Sequence, residues 1–263
     1  MNAIFSRVKN VDINNTASDD IWVPISTNSL STEEGDKTIY KIVRWSTLYT
    51  WLTKREIVLP DILTNLNIGQ ELTALYSEHP FYSAFKRRLF VQDWMQNEPT
   101  LASWRKASWN SNGHLIPCVC LKTRLSHLVE YLEDRYIYQN KPSIYLGPIQ
   151  DESEESFCKT VVNVARNQRK GWEVEPLFHR IQDTASNVEE NFRIVIVCPP
   201  KDPIECSLEL NDLKKLATEA ILSPYEGQKI DANQFVMLWK EKFGEVFRAK
   251  IDRPRDSISY ERI

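Results

Sequence analysis

From Thr38 to Arg44 the order Ile39-Tyr40-Lys41-Ile42-Val43-Arg44 alternates as a half-buried strand does. Ser46 is placed to cap a helix running through Lys54, and Glu56 to Leu59 predicts a short second strand ended by Pro60. Residues 68–77 fit a helix, and 81–94 fit a helix running into a strand. Thr100 stands where a helix carrying Trp104 would need its N-cap. Residues 115–121 read as a buried strand, followed by a helix over 124–135 and a strand over 144–149. The acidic run 151–155 suits a surface loop or a helix start, where carboxylates meet the positive end of the helix dipole.

The last third carries the sharpest pattern. Residues 192–198, FRIVIVC, predict a strand stopped by Pro199-Pro200. A short helix over 212–217, a strand over 220–222 closed by Ser223-Pro224, and a helix over 233–243 ended by Gly244 follow. Residues 246–251 are expected to form the final strand. By contrast, residues 1–36 are rich in Asn, Ser, Thr and Asp, with one apolar stretch at 21–25. They read as a loosely ordered N-terminal arm with one short strand. With no long Pro/Gly/Ser linker and no internal repeat, residues 37–263 are expected to form a single α+β domain. Its predicted architecture is a mixed, largely antiparallel sheet flanked by helices.

Composition narrows the chemistry. The 263 residues include 8 Trp but only 7 Gly, and the glycine share is well under the usual ~7%. Neither G-x-G-x-x-G nor G-x-x-x-x-G-K-[ST] occurs, so the usual sequence signatures of Rossmann and P-loop sites are missing. A net charge of −3 and a pI of about 5.9 lack the footprint of a general nucleic-acid binder. Basic clusters at 86–88, 166–170 and 248–255 read as solvated faces and loops, with a local phosphate site as the alternative. The longest apolar runs, 194–198 and 115–121, fall far short of the ~18 residues that a membrane span needs. The first residues, MNAIFSRVKN, have no apolar secretory core, and five irregularly spaced cysteines make a poor disulfide framework. The expectation is a cytoplasmic chain with reduced thiols and no membrane partner.

His79, His114, His127 and His179 are scattered, without H-x-x-x-H spacing. Cys118 and Cys120 would face one side of a strand, and with no second pair at zinc spacing they predict a buried strand. No metal is expected. Trp94, Trp104 and Trp109, with Glu98 among them, could stack a base or a nicotinamide; the plainer reading is that Trp94 and Trp104 anchor a helix on the sheet. Period-two alternation puts Glu189, Asn191 and Arg193 on one face of the 192–198 strand. That row is either the mouth of a site or a solvent-facing edge.

The order of segments resembles a large family of bacterial and phage proteins classed as a domain of unknown function. Its pattern is a Tyr-Lys strand, a Phe-Asn-Asp-Pro turn, a Trp-x-x-Tyr helix and a Glu-x-Glu-x-Arg strand. Tyr40-Lys41 matches the opening, Trp94 and Glu98 the Trp-containing strand, Trp104 the next helix, and Gly113 the Gly-led strand. Phe178 and Arg180, Glu189 and Arg193, and Leu222-Ser223-Pro224 match later elements. Leu66-Asn67-Ile68-Gly69 stands where the family has Phe-Asn-Asp-Pro, Ala107 replaces the helix tyrosine, and Asn191 replaces the second glutamate.

The family is distantly similar to ADP-ribosyltransferases, and the resemblance implies NAD as cofactor. It makes Glu189 and Lys41 the catalytic pair, the carboxylate stabilising oxocarbenium charge on the ribose. Tyr40, Arg44, Trp45, Trp104 and Arg193 would surround the cofactor. The implied function is a toxin or phage-defence effector using NAD. The altered positions point to an alternative, a catalytically degraded module that binds a nucleotide or a protein partner. A nuclease is disfavoured by the net charge.

Overall fold

A computed structural model describes residues 35–59, 70–78, 82, 89–110, 112–134, 143–167, 174–181, 192–198, 206–209, 216–225, 245–252 and 257–262. The expected arm strand at 21–25, the helices at 212–217 and 233–243, and Glu189 lie wholly or largely outside them. In chain order the elements begin with β1 (Thr38–Arg44), α1 (Trp45–Lys54), β2 (Glu56–Leu59), α2 (Gln70–Glu78) and β3 (Leu89–Trp94). Next come α3 (Leu101–Ser108), β4 (Cys118–Arg124), α4 (Leu125–Asp134), β5 (Ser143–Pro148), β6 (Gln150–Glu152) and α5 (Glu154–Asn167). A 3-10 turn (Glu175–Phe178), β7 (His179–Ile181), β8 (Phe192–Val197), β9 (Cys206–Glu209), β10 (Glu219–Leu222), β11 (Glu245–Asp252) and β12 (Ser257–Arg262) complete the series. The class is α+β, with a mixed, largely antiparallel sheet and flanking helices.

Contacts divide the chain into two compact units. The first takes Met1–Ile25, Leu59–Asp93 and Tyr138–Cys206; the second takes Ser26–Val58, Trp94–Ile137 and Ser207–Ile263.

In the first unit β8 is the middle strand of the order β3-β8-β5, pairing antiparallel with β5. Every residue of β8 is buried, which is why its sequence is apolar but for Arg193. Val195 and Val197 of β8, Leu89 and Val91 of β3, Tyr145 of β5 and Phe157 and Val161 of α5 share one core. The Tyr76 and Tyr82 rings meet edge-on in that core, 5.3 Å apart. β6 and β7 form a short parallel pair in which His179 Nδ1 lies 3.0 Å from Glu152 Oε1.

The second unit is built on a five-stranded sheet of order β1-β4-β10-β11-β12, antiparallel except for β10 with β11. β1 and β4 pair over their full lengths, from Thr38 opposite Arg124 to Arg44 opposite Cys118. That register puts Tyr40, Ile42, Cys118, Cys120, Ile221, Phe247, Ala249, Ile258 and Tyr260 on one face. Trp104 and Ala107 of α3 pack onto this face and close its core. Leu48 and Trp51 of α1, and Leu125, Leu128, Val129 and Leu132 of α4, are also buried.

Three boundaries differ from the sequence reading for physical reasons. α1 starts at Trp45 with Arg44 at its N-cap, so Ser46 lies inside the helix rather than capping it. β4 starts at Cys118 rather than Leu115: Pro117 has no N–H, and Ile116 N donates to Ser108 O at 2.6 Å. β11 is not the last strand, because β12 returns antiparallel beside it.

Candidate functional site

The predicted cofactor residues fall in both units, and their surroundings differ sharply. Arg193 lies in β8 of the first unit and is 1% exposed. Its guanidinium makes a bidentate pair with Asp93, Nε to Oδ1 at 2.6 Å and Nη2 to Oδ2 at 2.9 Å, and Nη1 donates to the Leu177 carbonyl. Arg193 therefore lies on neither a solvent-facing edge nor a polar mouth. Both faces of β8 are covered, and the charge is answered inside the core. Asp93 stands 100 positions away and was not among the sequence candidates.

The remaining described candidates belong to the second unit. Strand alternation places Tyr40 and Arg44 on one face of β1 and Lys41 on the other. Lys41 Nζ lies over the Trp94 ring, 5.8 Å from its centroid, a cation–π contact with a ring that is itself 1% exposed. On the opposite face Trp104 is fully buried against Tyr40, Met95, Cys118 and Cys120. Its Nε1 finds no hydrogen-bond partner among the described residues. α3 holds it there through a capping box, in which Thr100 Oγ1 accepts from Ser103 N at 3.3 Å and Thr100 N donates to Ser103 Oγ at 2.9 Å. Trp104 is a core anchor, as its plainer reading expected.

Tyr40 points towards the same end of α3. Its backbone exchanges two hydrogen bonds with Met95, each 2.8 Å, and its hydroxyl donates to Glu98 Oε1 at 3.4 Å. Burial, then the negative charge of Glu98, raises the Tyr40 phenol well above its ordinary range. Tyr260 of β12 is raised for the same two reasons, burial first. Beneath them Cys120 is pushed up by burial, and Cys118 is pushed up to about 11 by burial against the smaller opposing effects of Ser108 and Arg44. Both thiols stay protonated and inert at neutral pH. No cluster of His, Cys, Asp and Glu capable of holding a metal occurs among the described residues.

Arg44 and Trp45 present the other arrangement. Arg44 is exposed at the end of β1, and Trp45, half-buried, opens α1. Trp45 N donates to Pro117 O at 2.8 Å, which fixes the strand-to-helix junction. Tyr49, one turn along, is 53% exposed, and its ring centroid is 6.3 Å from that of Trp45. The first turn of α1 has no side-chain cap and no acidic residue. A guanidinium and two aromatic rings therefore share one solvent-facing corner. The i,i+4 spacing of Trp45 and Tyr49 was the sequence signal for this pairing.

No family model matches the chain, and no curated protein or solved structure is significantly similar to it. Among the described residues no helix is long and apolar enough to cross a membrane.

Proposed function

We propose that the chain is a nucleotide-binding module whose contact site is the β1–α1 junction, with Arg44 meeting phosphate and Trp45 and Tyr49 receiving the base. One observation carries this reading. Of the side chains expected to hold a cofactor, Tyr40, Trp104 and Arg193 are buried in cores, and the expected catalytic Lys41 lies over Trp94 on the far face of β1. Arg44 is instead exposed, and Trp45, half-buried, lies beside the exposed ring of Tyr49. A cation with a stacking surface is the minimum that recognises a nucleotide without a glycine-rich cradle. NAD is the first ligand to try, and a cytoplasmic location accords with Cys118, Cys120, Cys158 and Cys198 as buried thiols rather than disulfides.

Isothermal titration of the full chain with NAD, ADP and AMP tests the proposal. Saturable binding that weakens at least about tenfold in both Arg44→Ala and Trp45→Ala supports it, a loss of roughly 1.4 kcal/mol. No binding by the wild type, or equal binding by all three proteins, refutes it. Incubation with labelled NAD beside Glu189→Gln tests the ADP-ribosyltransferase reading. Turnover by the wild type that the variant lacks would make the site an enzyme's.

A further inference from the structure

The corner that holds Arg44 and Trp45 extends beyond them. Residues 44–54 and 100–117 contain Arg44, Lys54, Arg105 and Lys106 and not one Asp or Glu, in a chain with 36 acidic residues against 33 basic. Residues 115–117 join the two stretches. On one side Pro117 O accepts from Trp45 N, and on the other Ile116 N donates to Ser108 O while Trp109 bridges to Leu115. Trp109 is 47% exposed and, with Tyr49, makes up the exposed large apolar side chains among the described residues. A fixed turn presents it: Asn110 Oδ1 accepts from Asn112 N at 3.0 Å and from His114 N at 2.8 Å, and Gly113 takes the positive φ of 73°. Arg105 and Lys106 are exposed on the last turn of α3, just before Trp109. Arg44 stands opposite Cys118 in the β1–β4 pairing, and the Cys118 thiol donates to Ala107 O of α3 at 3.3 Å.

The backbones of Trp45 and Trp109 meet 115–117 at different residues, Trp45 at Pro117 and Trp109 at Leu115. We propose that this corner binds single-stranded nucleic acid, with one base on Trp45 and Tyr49, another on Trp109, and backbone phosphates against Arg44, Arg105 and Lys106. The inference rests on the nucleotide reading of the Arg44–Trp45 junction and extends it from a free nucleotide to a strand. The net charge of −3 belongs to the whole chain and does not set the sign of one corner, where Arg44, Arg105 and Lys106 are all exposed. The exposed rings favour bases over an acidic peptide, which would use the cations and leave Trp109 idle.

The test is fluorescence anisotropy of the full chain with a labelled twelve-residue oligouridylate at 50 and 200 mM salt, with uridine monophosphate titrated in parallel. Expected are tighter binding of the oligonucleotide than of the mononucleotide and a marked loss of affinity at the higher salt. Trp109→Ala should weaken the oligonucleotide about fivefold or more, a larger factor than it costs the mononucleotide. Replacing Arg105 and Lys106 with Glu should weaken it further and flatten the salt dependence. Mononucleotide binding with no gain for the oligonucleotide overturns the strand proposal alone. Absence of both overturns the nucleotide reading as well. Oligonucleotide binding indifferent to Trp109→Ala, or matched by a polyglutamate peptide, also overturns the proposal.

Discussion

A guanidinium in a core persists only if its charge and its donors are answered, and Arg193 satisfies that condition with Asp93 and the Leu177 carbonyl. Removing one partner strands a buried charge. Asp93→Ala should therefore cost about 3–5 kcal/mol, seen as a large drop in the urea midpoint. Replacing both together, Asp93→Leu with Arg193→Met, should cost far less, because no charge is left behind. Equal losses in the single and double variants would remove the ion pair from this account. Alternation along 189–193 could not reveal this pairing, since period two says which face a side chain takes but not whether that face is covered. The covering came from Asp93, 100 positions distant, and from the neighbouring strands β3 and β5. Arg55 shows a different kind of residue cost: it holds φ 53°, the left-handed position that closes α1. Arg55→Gly should raise the melting temperature slightly, the relief of strain of about 1–2 kcal/mol being partly offset by the entropy of glycine.

At the scale of elements, the legible ones were those whose signal is local. β1, β2, β8 and β10 follow from their apolar patterns, and α3 follows from Thr100, whose capping box is present. Thr100→Ala should cost about 1 kcal/mol by thermal melting, since Ser103 N then loses its acceptor. A melting curve that superposes on the wild type would show the cap to be dispensable. The start of α1 was less legible, because Ser46 is a good cap by type while the chain turns one step earlier, where Trp45 N meets Pro117 O. That shift is a long-range effect across 72 positions, and no window of the sequence contains it. β12 was missed although Ile258 and Tyr260 alternate with Ser257 and Ser259. Its pairing with β11 supplies the stabilisation that so short a polar strand lacks alone.

At the scale of the whole molecule, the buried phenols and thiols among the described residues act in one direction. Tyr40, Tyr82 and Tyr260 are raised mainly by burial, as are Cys118 and Cys120. Each is neutral when protonated, so folding favours the protonated form. For Cys118 the unfolded thiol ionises near 9.0 and the folded one near 11, so its contribution is complete below pH 9 and is lost as pH rises to 11. The tyrosines continue the trend above pH 10. The urea midpoint should therefore fall steadily from pH 9 upward, and Cys118→Ala should fall less steeply between pH 9 and 11. A flat or rising midpoint would contradict the buried, protonated state of these groups. The fold class was legible because alternating and capped segments follow one another along the chain. The candidate site was legible only in part: Arg44 and Trp45 were named, but which of five cofactor candidates would face solvent depended on sheet faces and helix packing that a single sequence does not carry.

Trp104 offers a practical consequence. Its indole N–H is buried with no acceptor among the described residues, in a pocket of aliphatic, sulfur and phenol groups. The side chain that closes the core of the five-stranded sheet is held by packing, so a smaller residue at position 104 would loosen the sheet and α3 together.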